Sequence, residues 1–299
     1  MTTLSLSRQA ERLRRTSWLD VIGAAWLVFV GGMFLMLVLP RWLVHSLRPL
    51  SLLAPLLVLI AKDLSHLPDA LERTRLALRA PAWGKLPAAW LPPELIGMLR
   101  LDRALRRGFM AWLLRRPRPD VAPAGQALGY LKFGAYRTAC AFVLFSSLVE
   151  LPLDAAIVPL LVHGEGERLA IHLLMLGGAL SSIVYMLGDR WLIGAGEHVL
   201  TEEALHISIG ARTQGSIPLD AIAACERIDE PVAAWLRRRG IERRSAIKAS
   251  PLDKPNTVLI LKPGSRVRLT HLGVERTGPS CIFLYLDRPQ ELQSRIQML

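Results

Sequence analysis

The pattern of apolar and polar positions changes character near residue 197. Before it, three apolar runs are long enough to cross a bilayer as helices, and they cover residues 21–40, 139–162 and 169–188. A fourth run, residues 49–61, has 13 residues without a charge and reaches that length only with its flanks. The first two thirds of the chain therefore predict an α-helical membrane bundle.

Beyond residue 197 the hydrophobic period falls to two, which is the period of a half-buried strand. Residues 205–209 alternate most clearly, Pro263-Gly264 predicts a turn, and Pro231 favours a helix start. Further extended segments are predicted at residues 216–222, 256–261, 266–269 and 282–286. With a last helix in PQELQSRIQML, this region predicts a small β barrel or sandwich closed by a C-terminal helix.

The charge distribution predicts how the helices cross. The 299 residues carry 37 Lys and Arg against 25 Asp and Glu, a net charge of +12. Four arginines precede the first run, and residues 62–136 hold 13 Lys and Arg against six Asp and Glu. Both basic regions are expected on the cytoplasmic side. The segment 49–61 must then cross or re-enter, which gives four crossings and places both termini in the cytoplasm.

Four parts follow from these patterns. We expect an N-terminal arm and membrane hairpin at 1–67, a cytoplasmic basic region at 68–136, a second transmembrane hairpin at 137–195 and the β domain at 196–299. The first run is longer than the apolar core of a signal peptide and has no cleavage pattern after it, so it predicts an uncleaved span.

Three segments carry a family resemblance. The stretches YMLGDRWLIGAGEHVLTEEALHISIGARTQGSIPLDAI, NTVLILKPGSRV and IFLYLDRPQELQSRI resemble bacterial membrane proteins with a pleckstrin-homology-like (PH-like) domain. In that family a last span ends near a Gly-Asp pair and a Gly-separated strand pair opens the domain. The resemblance covers about residues 139–299. It implies a PH-like fold in a bacterial cell inner membrane, and it transfers no catalytic residue.

Two carboxylates interrupt the apolar run at residues 139–162, in the sequence SLVELPLDAAIVPLL. Glu150 and Asp154 are four residues apart and share one helix face. The next helix contains GGALSS, whose small residues allow close approach and whose Ser181 and Ser182 could hydrogen-bond the acids. Polar contacts within a tight hairpin are one interpretation. A proton, ion or ligand path is the second, and a metal or haem site with His163 and His172 is the third.

Two arginine clusters are candidates for contact with anionic lipid. Residues 95–116, LIGMLRLDRALRRGFMAWLLRR, have the pattern of a helix lying in the membrane interface, or alternatively of one docked on the spans or on the β domain. The segment 235–248 predicts either a second lipid-facing surface or a solvated one, and residues 115–125 predict a linker. The candidate arginines are Arg100, Arg103, Arg106, Arg107, Arg237, Arg238, Arg239, Arg243 and Arg244.

Motifs for other chemistry are missing from the sequence. It contains no GxxxxGK[ST], GxGxxG, GxSxG or CxxC, no zinc-ligand spacing and no RNA-binding aromatic strand. We therefore expect no catalytic residue, metal, cofactor or nucleic-acid partner. The predicted function is a membrane-anchored binding or scaffolding module that engages anionic lipid, a protein partner or both. The alternatives are a small transporter or membrane enzyme using Glu150 and Asp154, and an accessory subunit that docks through its Trp-rich middle region.

Overall fold

The computed structural model divides the chain into two compact units, Met1–Ile96 and Gly97–Leu299, and each is described by itself. The residues that the structure describes contain eight α-helices and ten strands. These described residues are 13, 16–39, 41–79, 89–118, 123–162, 164–250 and 252–297.

The first unit is helical. It contains α1 (Trp18–Val38), α2 (Arg41–Ser65), α3 (Leu67–Arg79) and the start of α4 (Pro93–Leu113). Helix α1 begins where the Ser17 side chain accepts the Asp20 N–H, and it packs along α2. The short apolar run at 49–61 lies inside α2, a 25-residue helix that also contains two prolines.

A buried lysine closes one end of the α1–α2 pair. Lys62 is 1% exposed, and its Nζ donates to the carbonyls of Leu13 and Thr16 at 2.7 Å each. Its ammonium lies 5.8 Å from the Trp18 ring, which stacks on His66. Burial, followed by the Lys62 charge, lowers the pKa of His66. This arrangement satisfies a cation that would otherwise be costly to bury.

The second unit contains a helical hairpin, α5 (Tyr136–Leu161) and α6 (Glu165–Ile193). Tyr136–Leu160 and Glu165–Ile193 each reach a mean hydropathy of 1.8 and are long and apolar enough to cross a membrane. The runs predicted at 139–162 and 169–188 are thus confirmed as helices of spanning length. The apolar stretch Asp20–Gly32 of α1 is shorter, and four crossings stay a prediction.

The second unit also contains two sheets, and all of their strands except β1 follow the hairpin. One has six antiparallel strands in the order β1-β2-β3-β4-β8-β9, and the other has four in the order β5-β7-β10-β6, with β6 parallel to β10. The strands are β1 (Gln126–Gly129), β2 (Glu197–Leu200), β3 (Ala204–Ile209), β4 (Thr213–Pro218), β5 (Ile222–Arg227), β6 (Ala246–Ala249), β7 (Thr257–Leu261), β8 (Arg268–His271), β9 (Val274–Thr277) and β10 (Cys281–Leu284). The predicted β-rich C-terminal region is confirmed.

The core lies where the inward sides of both sheets meet. Leu205, Ile207 and Ile209 alternate inward along β3 and pack in one cluster with residues of β7 and β10. Helix α8 (Pro289–Gln297) adds Leu292 to that cluster. Helix α7 (Val232–Arg238) covers the other face of the four-stranded sheet, where Trp235 meets Phe283 edge-on. Strand β10 is therefore buried on both faces, which explains its unbroken apolar sequence.

One histidine is part of this packing. His198 on β2 is fully buried, and its Nδ1 accepts the Ser208 N–H at 3.2 Å. Burial lowers the pKa of His198 to about 4, so the ring stays neutral near pH 7. Its role is structural.

Candidate functional site

A buried carboxylate joins the hairpin to the β domain. Asp189, near the end of α6, is 1% exposed. It accepts the Tyr136 hydroxyl at 2.8 Å, and it accepts Arg212 Nε at 3.0 Å and a second Arg212 nitrogen at 2.9 Å. Tyr136 opens α5, and Arg212 lies in the turn between β3 and β4. We call these three residues the Asp189 joint, and it fixes the sandwich to the helices that lead toward it.

Helix α4 docks on the same end of α6 through glycines. A Cβ on Gly188 would overlap the carbonyl oxygen of Leu105, and a Cβ on Gly108 would lie 2.7 Å from the carbonyl of Gly188. Near the start of α4, Gly97 packs on Gly273 in the β8–β9 turn. A Cβ on Gly273 would overlap the carbonyl oxygen of Gly97. The sequence allowed this helix either to lie in the membrane interface or to dock on the spans or on the β domain. From Gly97 onward, the structure shows a docked helix.

A polar cluster supports that docking. The Tyr185 hydroxyl donates to Asp102 on α4, and Arg106 pairs with the same carboxylate at 3.0 Å. The hydrogen bond from Tyr185 holds the pKa of Asp102 below its usual value. The outward face of α4 keeps exposed apolar side chains beside arginines, namely Leu99, Met110 and Leu113 with Arg103 and Arg107. This face is amphipathic in the manner expected at a membrane surface.

The nine candidate arginines are all exposed, and they differ in their partners. Arg106 pairs with Asp102, and Arg238 pairs with Glu230. Arg239 pairs with Glu226 at 2.7 Å and lies over the Trp235 ring. Arg100 reaches a backbone carbonyl at 3.4 Å. Within the described part of the chain, the arginines that form no ion pair with a carboxylate include Arg103, Arg107, Arg237 and Arg243.

The two acids of α5 do not contact the predicted serines. Glu150 is exposed, as is Ser181, and the Ser182 hydroxyl donates within its own helix to Gly178 at 3.0 Å. Asp154 is half-buried, and its Oδ2 is buried without a partner among the described residues. The structure thus does not bring together the four residues predicted as an intramembrane polar cluster.

The predicted close approach at GGALSS is wrong. A Cβ on Gly177 or Gly178 would meet nothing within 4 Å. These two glycines face open space rather than a neighbouring helix. The hairpin turn lies between Leu161, where α5 ends, and Glu165, where α6 begins. Together with the Tyr136–Asp189 bond, this turn brings Asp154 level with residues near His172 rather than with Gly178.

The third interpretation of the two acids was a metal or haem site with His163 and His172. No group of three His, Cys, Asp or Glu side chains in the described ranges could hold a metal ion. His172 is half-buried on α6, and His163 lies outside the described residues.

A cleft of about 490 Å³ lies at the first turn of α5. The loop before this helix is held by two carboxylates that sequence reasoning did not assign to it. Asp287 accepts the N–H groups of Lys132 and Phe133 at 2.8 Å each, and Asp253 accepts that of Ala135. Asp287 lies two residues before Pro289, where the last helix begins. The only signal for its role was its place in the "Asp-x-Pro" ending of the third resembling segment.

Comparison of the chain with protein-family models, with curated proteins and with solved structures found no match. The PH-like assignment and the bacterial origin therefore stay predictions from the sequence.

Proposed function

We propose that this chain is a membrane-anchored binding module. The α5–α6 hairpin crosses the bilayer, and the β domain lies at the membrane face and engages phospholipid headgroups. The observation that carries this proposal is the Asp189 joint. A carboxylate bonded to both helices' ends and to the sandwich holds the β domain in one orientation at the end of two apolar helices of spanning length. A flexibly tethered domain would need no such buried contact.

The membrane topology, the cellular location and the PH-like fold of the β domain are parts of the same proposal. Helices α1 and α2 supply two further crossings, and both termini and the β domain are cytoplasmic in a bacterial inner membrane. The excess of Lys and Arg in the N-terminal arm and in residues 62–136 supports this orientation. A two-sheet core with a C-terminal helix packed on it supports a PH-like domain, whereas the parallel β6–β10 pair departs from a simple meander.

The lipid surface with the best support is the outward face of α4. It presents Arg103 and Arg107, which form no ion pair with a described carboxylate, beside exposed Leu99 and Met110. The helix docks at Gly188, five residues before α6 ends, so these arginines lie near the end of a candidate span. A basic residue near an anionic leaflet contributes about 1 kcal/mol.

Neutralising this face should reduce the enrichment of anionic lipid. We expect R103Q with R107Q to lower the ratio of phosphatidylglycerol to phosphatidylcholine bound to the full chain, by up to about thirtyfold for two charges. Native mass spectrometry of protein released from mixed vesicles measures this ratio. R238Q with R239Q is the matched control, because it removes two charges that already pair with glutamates. Equal effects of the two double variants, or no enrichment in the wild type, would contradict the proposal.

A second candidate function is a small transporter or membrane enzyme, and one observation favours it. Asp154 carries a buried oxygen without a partner among the described residues, in a helix of spanning length, and intramembrane acids commonly mark proton or ion paths.

Asp154→Asn distinguishes these two functions. In sealed vesicles with an entrapped pH-sensitive dye, a proton path predicts influx in the wild type that D154N abolishes. The binding module predicts no influx above that of empty vesicles in either protein. Glu150→Gln is the companion variant, and it should leave influx unchanged because the Glu150 side chain is exposed, whereas Asp154 is half-buried.

A further inference from the structure

We propose that the cleft at the first turn of α5 binds the headgroup of one phospholipid whose phosphodiester carries a cationic amine. Phosphatidylethanolamine has this chemistry. The inference rests on the proposed function in one respect only, namely that the α5–α6 hairpin crosses the bilayer. The cleft is separate from the arginine surfaces described above.

The walls of the cleft are firmly built. One wall is the loop that precedes α5, and Asp287 holds it by accepting two of its backbone N–H groups. The lining also includes Gly196, which has φ +75°, and it packs so closely on this loop that a Cβ there would overlap the side chain of Leu131. On the neighbouring strand Gly129 pairs directly with Glu197 in the β1–β2 register, which sets the position of that glutamate at the cleft.

The charges lining the cleft balance. Three cations face three carboxylates, and two of the carboxylates are already engaged: Asp287 by the loop, and Glu291 by Arg288 at 3.2 Å. Lys132, Arg137 and Glu197 form no ion pair with a described residue. Two available cations suit a phosphate, and an available carboxylate suits an ammonium group. A headgroup with net negative charge would leave Glu197 uncompensated, so a zwitterion is the better fit.

The position of the cleft identifies a lipid rather than a soluble molecule. Arg137 lies in the first turn of α5, and no charged residue follows it until Glu150. Phe133 at the cleft is 66% exposed, with the Lys132 ammonium 5.3 Å from its ring. An exposed apolar ring beside basic residues at the end of an apolar helix suits the boundary between headgroups and acyl chains. A lipid can use the ring and the charges together.

The test uses the full chain in mild detergent after delipidation, with native mass spectrometry as the readout. The wild type should bind one phosphatidylethanolamine, and K132Q with R137Q should weaken this binding by at least about tenfold. Glu197→Gln should weaken binding of phosphatidylethanolamine but not of phosphatidylglycerol, which inverts the preference. Ala195→Trp fills the cleft without changing charge and should weaken both. Only variants that keep the wild-type unfolding temperature are compared.

Three outcomes would overturn the inference. The first is unchanged phosphatidylethanolamine binding in K132Q with R137Q. The second is equal loss of both lipids in E197Q. The third is binding of inorganic phosphate or glycerophosphoethanolamine as tightly as the lipid, which would assign the cleft to a soluble phosphate ester. Anionic-lipid enrichment that still depends on Arg103 and Arg107 would show that the proposed function survives when this inference fails.

Discussion

Asp189→Ala is expected to lower the free energy of unfolding by about 3 kcal/mol or more. The substitution removes a carboxylate whose side chain is 2% exposed, and with it the acceptor that the Arg212 guanidinium and the buried Tyr136 hydroxyl share. The expected loss lies at the lower end for broken buried ion pairs because the Arg212 side chain is 27% exposed and can still reach water. Denaturant unfolding of the full chain in detergent measures it.

Two variants control this result. Asp229→Ala breaks the Arg227–Asp229 pair, whose side chains are 61% and 78% exposed, and it should change stability very little. Asp189→Asn should fall between wild type and alanine, because the amide oxygen can still accept the Tyr136 hydroxyl. If Asp189→Ala and Asp229→Ala had equal effects, the joint would not hold the hairpin and the β domain together.

Gly188→Ala is expected to destabilise the protein by about 2–3 kcal/mol and to loosen α4. The new Cβ would overlap a backbone carbonyl of α4, and backbone cannot rotate away as a side chain can. The matched control is Gly177→Ala in the same helix, where the space is open. Alanine there should stabilise by about 0.5–1 kcal/mol through helix propensity alone.

The two glycine variants are compared by unfolding and by limited proteolysis with trypsin after Arg115, which follows α4. Faster cleavage in Gly188→Ala than in Gly177→Ala is the expected result. Equal stability and equal cleavage would mean that α4 is not packed against α6.

Periodicity predicted the strands whose side chains alternate or are all apolar, such as β3 and β10. It missed β1 with sequence QALG, β6 with AIKA and β9 with VERT. These are four-residue segments, too short for a period to stand out. Tertiary pairing decides their conformation: β1 pairs with β2 about 70 residues along the chain, and β6 pairs in parallel with β10.

The candidate residues show the same limit. The sequence composition located the arginine clusters. It did not show that Arg106, Arg238 and Arg239 pair with carboxylates, because packing and local folding bring those groups together and a charge count does not reveal them. Asp189 was visible only as part of a Gly-Asp pair in the resembling segment. Helix α6 has small residues at GGALSS and again at Gly188, and the sequence analysis predicted close packing at GGALSS. The close contact is at Gly188 instead. A small residue permits another helix to approach, but it does not show whether one does.

The membrane crossing of the α5–α6 hairpin is the central claim, and site-directed cysteine labelling tests it most directly. Gly166→Cys marks the first turn of α6, beside the turn of the hairpin, and Arg266→Cys marks an exposed position on the β domain. Both are made in a chain whose three native cysteines are replaced. Sealed membrane vesicles of both orientations are treated with a membrane-impermeant maleimide. The account predicts that the two positions are labelled from opposite sides of the membrane. Labelling of both from the same side would contradict it.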